Sequence, residues 1–287
     1  MVVRWLAVLA ALYLVYAGLF FAIQRWVLYP GTRLGPGPSW PGGARTPAAE
    51  TIALPSAAGD IRAWYAPAPA GAATGTGALV FHGNAELAVD LLAPFRPLAD
   101  LGVSALFVEY PGFGGEPGRP TEISIMEVAA AAHDWLAARE EVDGDRIVAI
   151  GRSLGSGPAA GLSRRKPVRA LVLWSPFVSV GYLALRKYGL PPFLALDRFD
   201  TRGALESFEG PVLIFHGTRD RVIPFRNATV LAEAHPEATL VRWSCGHNDC
   251  PPTWDELWEP LADFLAKSGL LPREAGDAPS SSAGATP

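Results

Sequence analysis

The chain has 287 residues, of which 49% are hydrophobic and 18% charged, and its net charge is -4. That is apolar material for one sizeable core, and the mildly acidic balance argues against a nucleic-acid binder, which carries a basic excess. Only two cysteines occur, Cys245 and Cys250, so a disulfide scaffold is excluded.

The first element is the most pronounced. Trp5 to Ile23 reads WLAVLAALYLVYAGLFFAI, nineteen residues without a charge. As a helix rising ~1.5 Å per residue it is about 28 Å long, close to the ~30 Å hydrocarbon core of a bilayer. Trp5, Trp26 and Tyr29 suit the two interfaces. Residues 1–29 are therefore expected to form a transmembrane anchor. A cleaved signal peptide competes, because Val15-Tyr16-Ala17 resembles a cleavage site, but the apolar run continues six residues past it. A buried helix is the third reading. Arg4 on one side and Arg25 and Arg33 on the other leave the orientation open.

From Pro30 to Pro47, ten of eighteen residues are Gly or Pro. Residues 30–50 thus read as a spacer or wrapping loop. Thr51–Ser56 and Ile61–Ala66 form an expected antiparallel pair around Gly59-Asp60. Short apolar runs follow at Ala78–Phe81, Ala105–Val108, Ile147–Ile150, Ala170–Trp174 and Val212–Phe215, as suits parallel strands buried on both faces. Thr239–Trp243 is a weaker eighth. Helical spacing of apolar residues predicts helices over Glu86–Leu101, Glu122–Glu141 and Trp254–Leu265. Alternating strands and helices imply an α/β domain over 51–270, with a mostly parallel eight-stranded sheet flanked by helices. Residues 271–287 are small and polar, a tail expected to be disordered.

Ligands of such sheets bind at the carboxyl ends of strands. There the fifth run ends in Gly151-Arg152-Ser153-Leu154-Gly155, and an apolar GSGPAAGL stretch follows. Strand, G-x-S-x-G and helix are the context of a nucleophile elbow. Gly151 and Gly155, lacking Cβ atoms, let the strained turn close and the helix pack near the strand. An ordinary turn with a capping serine is the competing reading. A serine hydroxyl needs a base, and in this context the chain order is Ser, acid, His. His133 lies inside a predicted helix, His235 precedes the eighth strand at the wrong end of the sheet, and His216 directly follows the seventh run and shapes a turn with Gly217. His247, beyond the eighth strand, is the candidate base. Asp220, five residues past the seventh run, is the candidate acid. Asp249 is too local to His247, and Glu109 lies before the serine. The backbone N–H groups of Asn84, after the third run, and of Leu154 are the candidate oxyanion donors.

With these residues assembled, the sequence resembles the α/β-hydrolases, and within them the membrane-anchored α/β-hydrolase-domain serine hydrolases related to the serine aminopeptidase-like class. The resemblance rests on LVFHGNAE, FVEYPGFGGEPGRPTE, IVAIGRSLGSGPA, LVLWSPFVSV, LPPFLALDRFDT and PVLIFHGTRDRVIPF, between about Ala78 and His247. It implies the α/β-hydrolase fold, hydrolysis of esters, thioesters or amides by Ser153, Asp220 and His247, and no metal or organic cofactor. One departure is Glu86, where the family commonly has glycine.

Pro176–Glu209 holds Tyr182, Leu185, Tyr188 and Phe193, an insert that either caps the serine for a lipophilic acyl group or merely packs on the sheet. Cys245 and Cys250 flank His247. A metal site with His247 and Asp249 would consume the base and matches no zinc spacing. A disulfide, which belongs outside the cytoplasm, and two free thiols both stay open; the disulfide leans the domain to the extracytoplasmic side. The expected function is hydrolysis of carboxylic esters or thioesters with lipophilic acyl groups. An amidase or peptidase with the same residues, or a silent membrane-tethered binding protein, are the alternatives. The expected partners are a small or lipid-like acyl substrate and, through the N-terminal helix, a membrane.

Overall fold

The computed structural model describes residues 1–35 and 49–272. Most of the expected Pro/Gly spacer and nearly all of the expected tail lie outside these residues.

An eight-stranded sheet forms the centre, in the order β1-β2-β4-β3-β5-β6-β7-β8. β1 (Glu50–Leu54) and β2 (Ile61–Ala66) are antiparallel, and β2 runs antiparallel to β4 (Val103–Val108). β3 (Thr76–Phe81), β4, β5 (Ile147–Arg152), β6 (Ala170–Trp174), β7 (Val212–Gly217) and β8 (Thr239–Trp243) are mutually parallel. β3, β4, β6 and β7 are buried throughout, because helices cover both faces of a parallel sheet. β8 is an edge strand with only Trp243 buried, which explains its weaker apolar pattern.

The helices are α1 (Val2–Leu28), α2 (Pro97–Asp100), α3 (Glu122–Ala137), α4 (Ser156–Leu162), α5 (Val180–Tyr188), α6 (Thr201–Ser207), α7 (Arg226–Ala234) and α8 (Asp255–Lys267). Glu86–Leu101 is not the continuous helix that its apolar spacing predicts. It breaks into a 3-10 turn at Ala88–Leu91 and the short α2. Pro94 and Pro97 are the cause, since each lacks an N–H and disfavours a helical residue before it. α3 starts at Thr121, whose hydroxyl accepts from the Ser124 N–H (3.0 Å), and it ends four residues earlier than expected.

α1 is long and apolar enough to cross a membrane, with mean hydropathy 2.4 over its most apolar window. Residues 2–12 of the helix are exposed; Ala17 is its buried residue. Nor does the chain leave α1 as a free spacer. Tyr29 and Gly31 are buried, and Pro30–Arg33 forms a 3-10 turn, with Pro30 in the first-turn position that tolerates it.

The insert after β6 contains α5, a 3-10 turn at Pro192–Leu194, and α6. Ser179 caps α5 by accepting from the Tyr182 N–H (3.0 Å), and Gly189 closes it in a left-handed conformation (φ +65°).

Candidate active site

Ser153 lies just past the carboxyl end of β5, at φ +51°, a region that costs a non-glycine residue free energy and is typical of functional turns. The flanking glycines show why the turn can close. A Cβ on Gly151 would sit 2.7 Å from the Ser156 Cα, and one on Gly155 would lie 2.6 Å from the Phe81 carbonyl carbon. Both obstacles are backbone, which cannot swing aside.

The Ser153 hydroxyl donates to His247 Nε2 (3.0 Å), and His247 Nδ1–H donates to Asp220 Oδ2 (2.6 Å). These residues come from the loops after β5, β8 and β7. Asp220 is fully buried at its side chain. Its other oxygen, Oδ1, accepts from the N–H groups of Val222 and Ile223 (2.8 Å each). The carboxylate is thereby fixed and its charge is compensated.

His216 does more than shape a turn. Its Nε2 donates to Ile223 O (2.8 Å) and lies 3.5 Å from Asp220 Oδ2. It braces the loop that carries Asp220. Burial holds its pKa below the ordinary value, despite the opposing pull of the Ile223 carbonyl and Asp220. The two rejected acids have other tasks. Asp249 accepts from the Gly246 N–H (2.9 Å). Glu109 sits 2.7 Å from His82 Nε2 and accepts from the Ala88 N–H (3.0 Å). His82 is wholly buried. Burial lowers its pKa, but Glu109, joined by Glu86 and the Gly83 carbonyl, outweighs that and holds it raised.

Asn84 follows His82 and Gly83 and borders the same cavity as Ser153 and Leu154. Its carbonyl accepts from the Gly31 N–H (2.9 Å), and its side-chain amide donates to Leu28 O (3.2 Å). Its own N–H has no acceptor among the described residues. Glu86, the departure from the family pattern, accepts from the Gly83 N–H (2.5 Å) and pairs with Arg152 (2.5 Å), whose guanidinium lies over Trp174. The charge of Glu86 is thus neutralised by the residue preceding the serine. Local pattern gave no sign of this pair, since 66 residues separate its members.

Cys245 and Cys250 are joined as a disulfide, with their Cα atoms 5.4 Å apart. It closes the loop carrying His247, and neither sulfur is free for a metal. Among the described residues no group of three or more His, Cys, Asp or Glu is arranged to hold a metal ion.

A cavity of about 290 Å³ opens beside Ser153. One wall is α5, which presents Val180, Leu183, Ala184 and Tyr188, one helical face. α1 contributes a further wall, through Ala17, Phe20, Phe21, Gln24 and Leu28, a role that none of the anchor, signal-peptide and buried-helix readings of the sequence foresaw.

No protein-family model matches the chain. It is 35% identical over 286 residues to the uncharacterized protein Rv2307c of Mycobacterium tuberculosis, covering 93% of this chain and 97% of that one. It is 30% identical over 195 residues to α/β hydrolase domain-containing protein 17C of Homo sapiens, covering 66% of this chain and 57% of that protein, so it spans less than two thirds of that relative. Among solved structures, an esterase of Thermogutta terrifontis aligns with a TM-score of 0.65 at 19% identity, covering 80% of this chain and 95% of that one. An esterase of Pyrococcus furiosus aligns equally well, with a TM-score of 0.65 at 18% identity over 81% of this chain and 95% of that one. The sheet order, the elbow and these relatives agree: the chain belongs to the α/β-hydrolase family.

Proposed function

We propose that the protein is a serine hydrolase cleaving carboxylic esters or thioesters of lipophilic acyl groups through an acyl-enzyme on Ser153. The observation that carries this reading is the unbroken hydrogen-bond chain from Ser153 through His247 to Asp220. In it His247 Nε2 takes the hydroxyl proton as Ser153 Oγ attacks the acyl carbon. Asp220 holds the imidazole tautomer and stabilises the cation that forms. The negative oxygen of the tetrahedral intermediate meets the N–H groups of Asn84 and Leu154, each such donor being worth roughly 3 kcal/mol. Collapse breaks the bond to the leaving group, which takes the proton from His247. Water, deprotonated by the same nitrogen, then attacks the acyl-serine and restores the hydroxyl. The apolar cavity beside Ser153 favours a hydrocarbon acyl portion.

The same reading makes α1 a single-pass membrane anchor. A signal peptide cut after Ala17 would remove Tyr13 and Tyr16, whose hydroxyls bond the end of α5 (2.8 and 2.9 Å). The disulfide favours an extracytoplasmic domain, since such bonds persist in oxidising compartments. On this reading the catalytic domain is 51–270, with α1 docked on it.

The test is labelling of the full-length protein by a fluorophosphonate and turnover of p-nitrophenyl esters, each repeated with Ser153→Ala. The substitution is expected to abolish labelling and to lower turnover on the order of a million-fold. Unchanged turnover in Ser153→Ala would refute the reading.

A further inference from the structure

α1 meets the rest of the molecule along one stripe. The Tyr13 hydroxyl donates to Gly189 O and that of Tyr16 to Tyr188 O. The Phe20 ring packs on that of Tyr188, 5.1 Å between centroids. Gln24 donates to Leu194 O (3.1 Å) and accepts from the Leu196 N–H (2.8 Å). Arg25 pairs with the buried Asp197 (2.9 Å), which also accepts from the first N–H of α3. Such spacing is that of one helical face. Beside it Ala17, Phe20, Phe21, Gln24 and Leu28 line the cavity that ends at Ser153.

The dimensions of that wall fit a lipid tail. Leu28 is level with the Asn84 amide that it accepts from. Ala17 is eleven residues up the helix, about 16 Å at 1.5 Å per residue. One leaflet contributes half of a ~30 Å core, roughly 15 Å. With the exposed Trp26 at the interface, Ala17 lies near the bilayer midplane and Ser153 near its edge.

Two further observations place the α5 region at leaflet depth. Tyr188 O and Gly189 O are carbonyls at the end of α5, which the helix itself leaves without donors. Water would satisfy them at an aqueous surface. Here two tyrosine hydroxyls of α1 do so, which suits a setting poor in water, while Lys187 of the same turn directs its ammonium to Val222 O. The same region exposes Leu185 (46%), Phe193 (75%) and Leu196 (49%) next to α1. Exposed apolar groups of this size suit a surface covered by something apolar, and the apolar α1 beside Leu196 points to the acyl region of a leaflet as that cover.

We propose that α1 is one wall of an acyl channel, and that the substrate is a long-chain acyl ester or thioester resident in the membrane. Its chain enters laterally from the leaflet, lies along Ala17–Gln24 against α5, and brings its carbonyl to Ser153. This rests on the assignment of Ser153 as nucleophile.

The experiment uses the full chain in phosphatidylcholine nanodiscs and a long-chain fluorophosphonate with a diazirine at the chain terminus. After labelling, irradiation is expected to cross-link the tail to peptides containing residues 13–24 or 180–190. Labelled Ser153 with cross-links confined to other segments overturns the channel and leaves the nucleophile standing. Absence of labelling overturns both. A second arm compares kcat/KM for p-nitrophenyl laurate and acetate. Ala17→Trp is expected to lower the laurate-to-acetate ratio at least tenfold, whereas Val15→Trp, on an exposed face of α1, leaves the ratio unchanged. An unchanged ratio in Ala17→Trp speaks against the channel. Finally, diluting a vesicle-held acyl ester with non-hydrolysable diether lipid at constant bulk concentration should lower the rate in proportion to surface dilution; a rate that follows bulk concentration overturns lateral entry.

Discussion

Replacing Asp220 by Asn separates chemistry from folding at this site. The two carboxylate oxygens have distinct duties. Oδ1 accepts from two backbone N–H groups, and Oδ2 accepts from His247 Nδ1. An asparagine must keep its carbonyl toward Val222 and Ile223, because turning the NH2 there would set donor against donors. The NH2 then faces His247 Nδ1, and the imidazole must present a lone pair to it. The proton moves to Nε2, facing Ser153 Oγ, and the base can no longer accept. A tautomer error of this kind lowers kcat about 10⁴-fold in the well-studied proteases, equivalent to about 5 kcal/mol at 1.36 kcal/mol per tenfold. Folding should suffer far less. The loss is one charge-assisted hydrogen bond, about 1.5–3 kcal/mol, or a fall in Tm below about 10 °C. Stopped-flow or steady-state hydrolysis of a p-nitrophenyl ester gives kcat, and circular dichroism gives Tm. A variant that keeps kcat within tenfold of the parent would show that Asp220 does not set the His247 tautomer.

Gly155→Ala drives a methyl group to 2.8 Å from His82 O and against the Phe81 carbonyl. Overpacking of this kind costs about 1–3 kcal/mol, and a shift near 1 Å between Ser153 and Asn84 lowers kcat/KM about 100-fold; an alanine variant with parental Tm and turnover contradicts the close approach. His216→Gln concerns pH. The folded His216 has a depressed pKa, so the unfolded imidazole takes up its proton first as the pH falls. Its stabilisation is complete above the unfolded value of about 6.5 and is lost as the pH falls through the folded one, by at most about 1.4 kcal/mol per pH unit. Glutamine keeps a donor toward Ile223 O without titrating, so chemical denaturation between pH 7 and 5 should show a shallower acid limb; superimposable limbs would remove His216 as the titrating group.

The strands of the sheet were readable because burial on both faces leaves no room for polar residues. ALVF, IVAI and VLIF state this directly, and the edge strand TLVRW says it more faintly. The serine, its glycines and the order of Asp220 and His247 were readable because an elbow has steric needs that few residue types meet. Glu86–Leu101 misled because apolar spacing outlives the helix that Pro94 and Pro97 interrupt. The pairs Arg152–Glu86 and Arg25–Asp197 join residues 66 and 172 apart. Contacts at such separations follow from strand order and helix docking, and no local pattern carries them. His216 and His82 look alike in sequence, each a histidine before glycine at a strand end. Both are pulled up by a neighbour, Ile223 O for one and Glu109 for the other, but burial wins at His216 and the carboxylate side wins at His82, so their pKa values move in opposite directions.

Leu28 and Gly31 grip Asn84 from both sides, through its side chain and through its carbonyl. They are also where α1 hands over to the domain. With α1 in a bilayer, a mismatch between helix length and hydrocarbon thickness is relieved in part by tilting. Tilt at that junction moves the grip, and the free N–H of Asn84 moves with it. Under the proposed anchoring by α1 and the proposed oxyanion role of Asn84, bilayer thickness would act as a rheostat for how well the negative oxygen is held, and a sterol-thickened membrane and a thin one would house the same polypeptide at different catalytic settings.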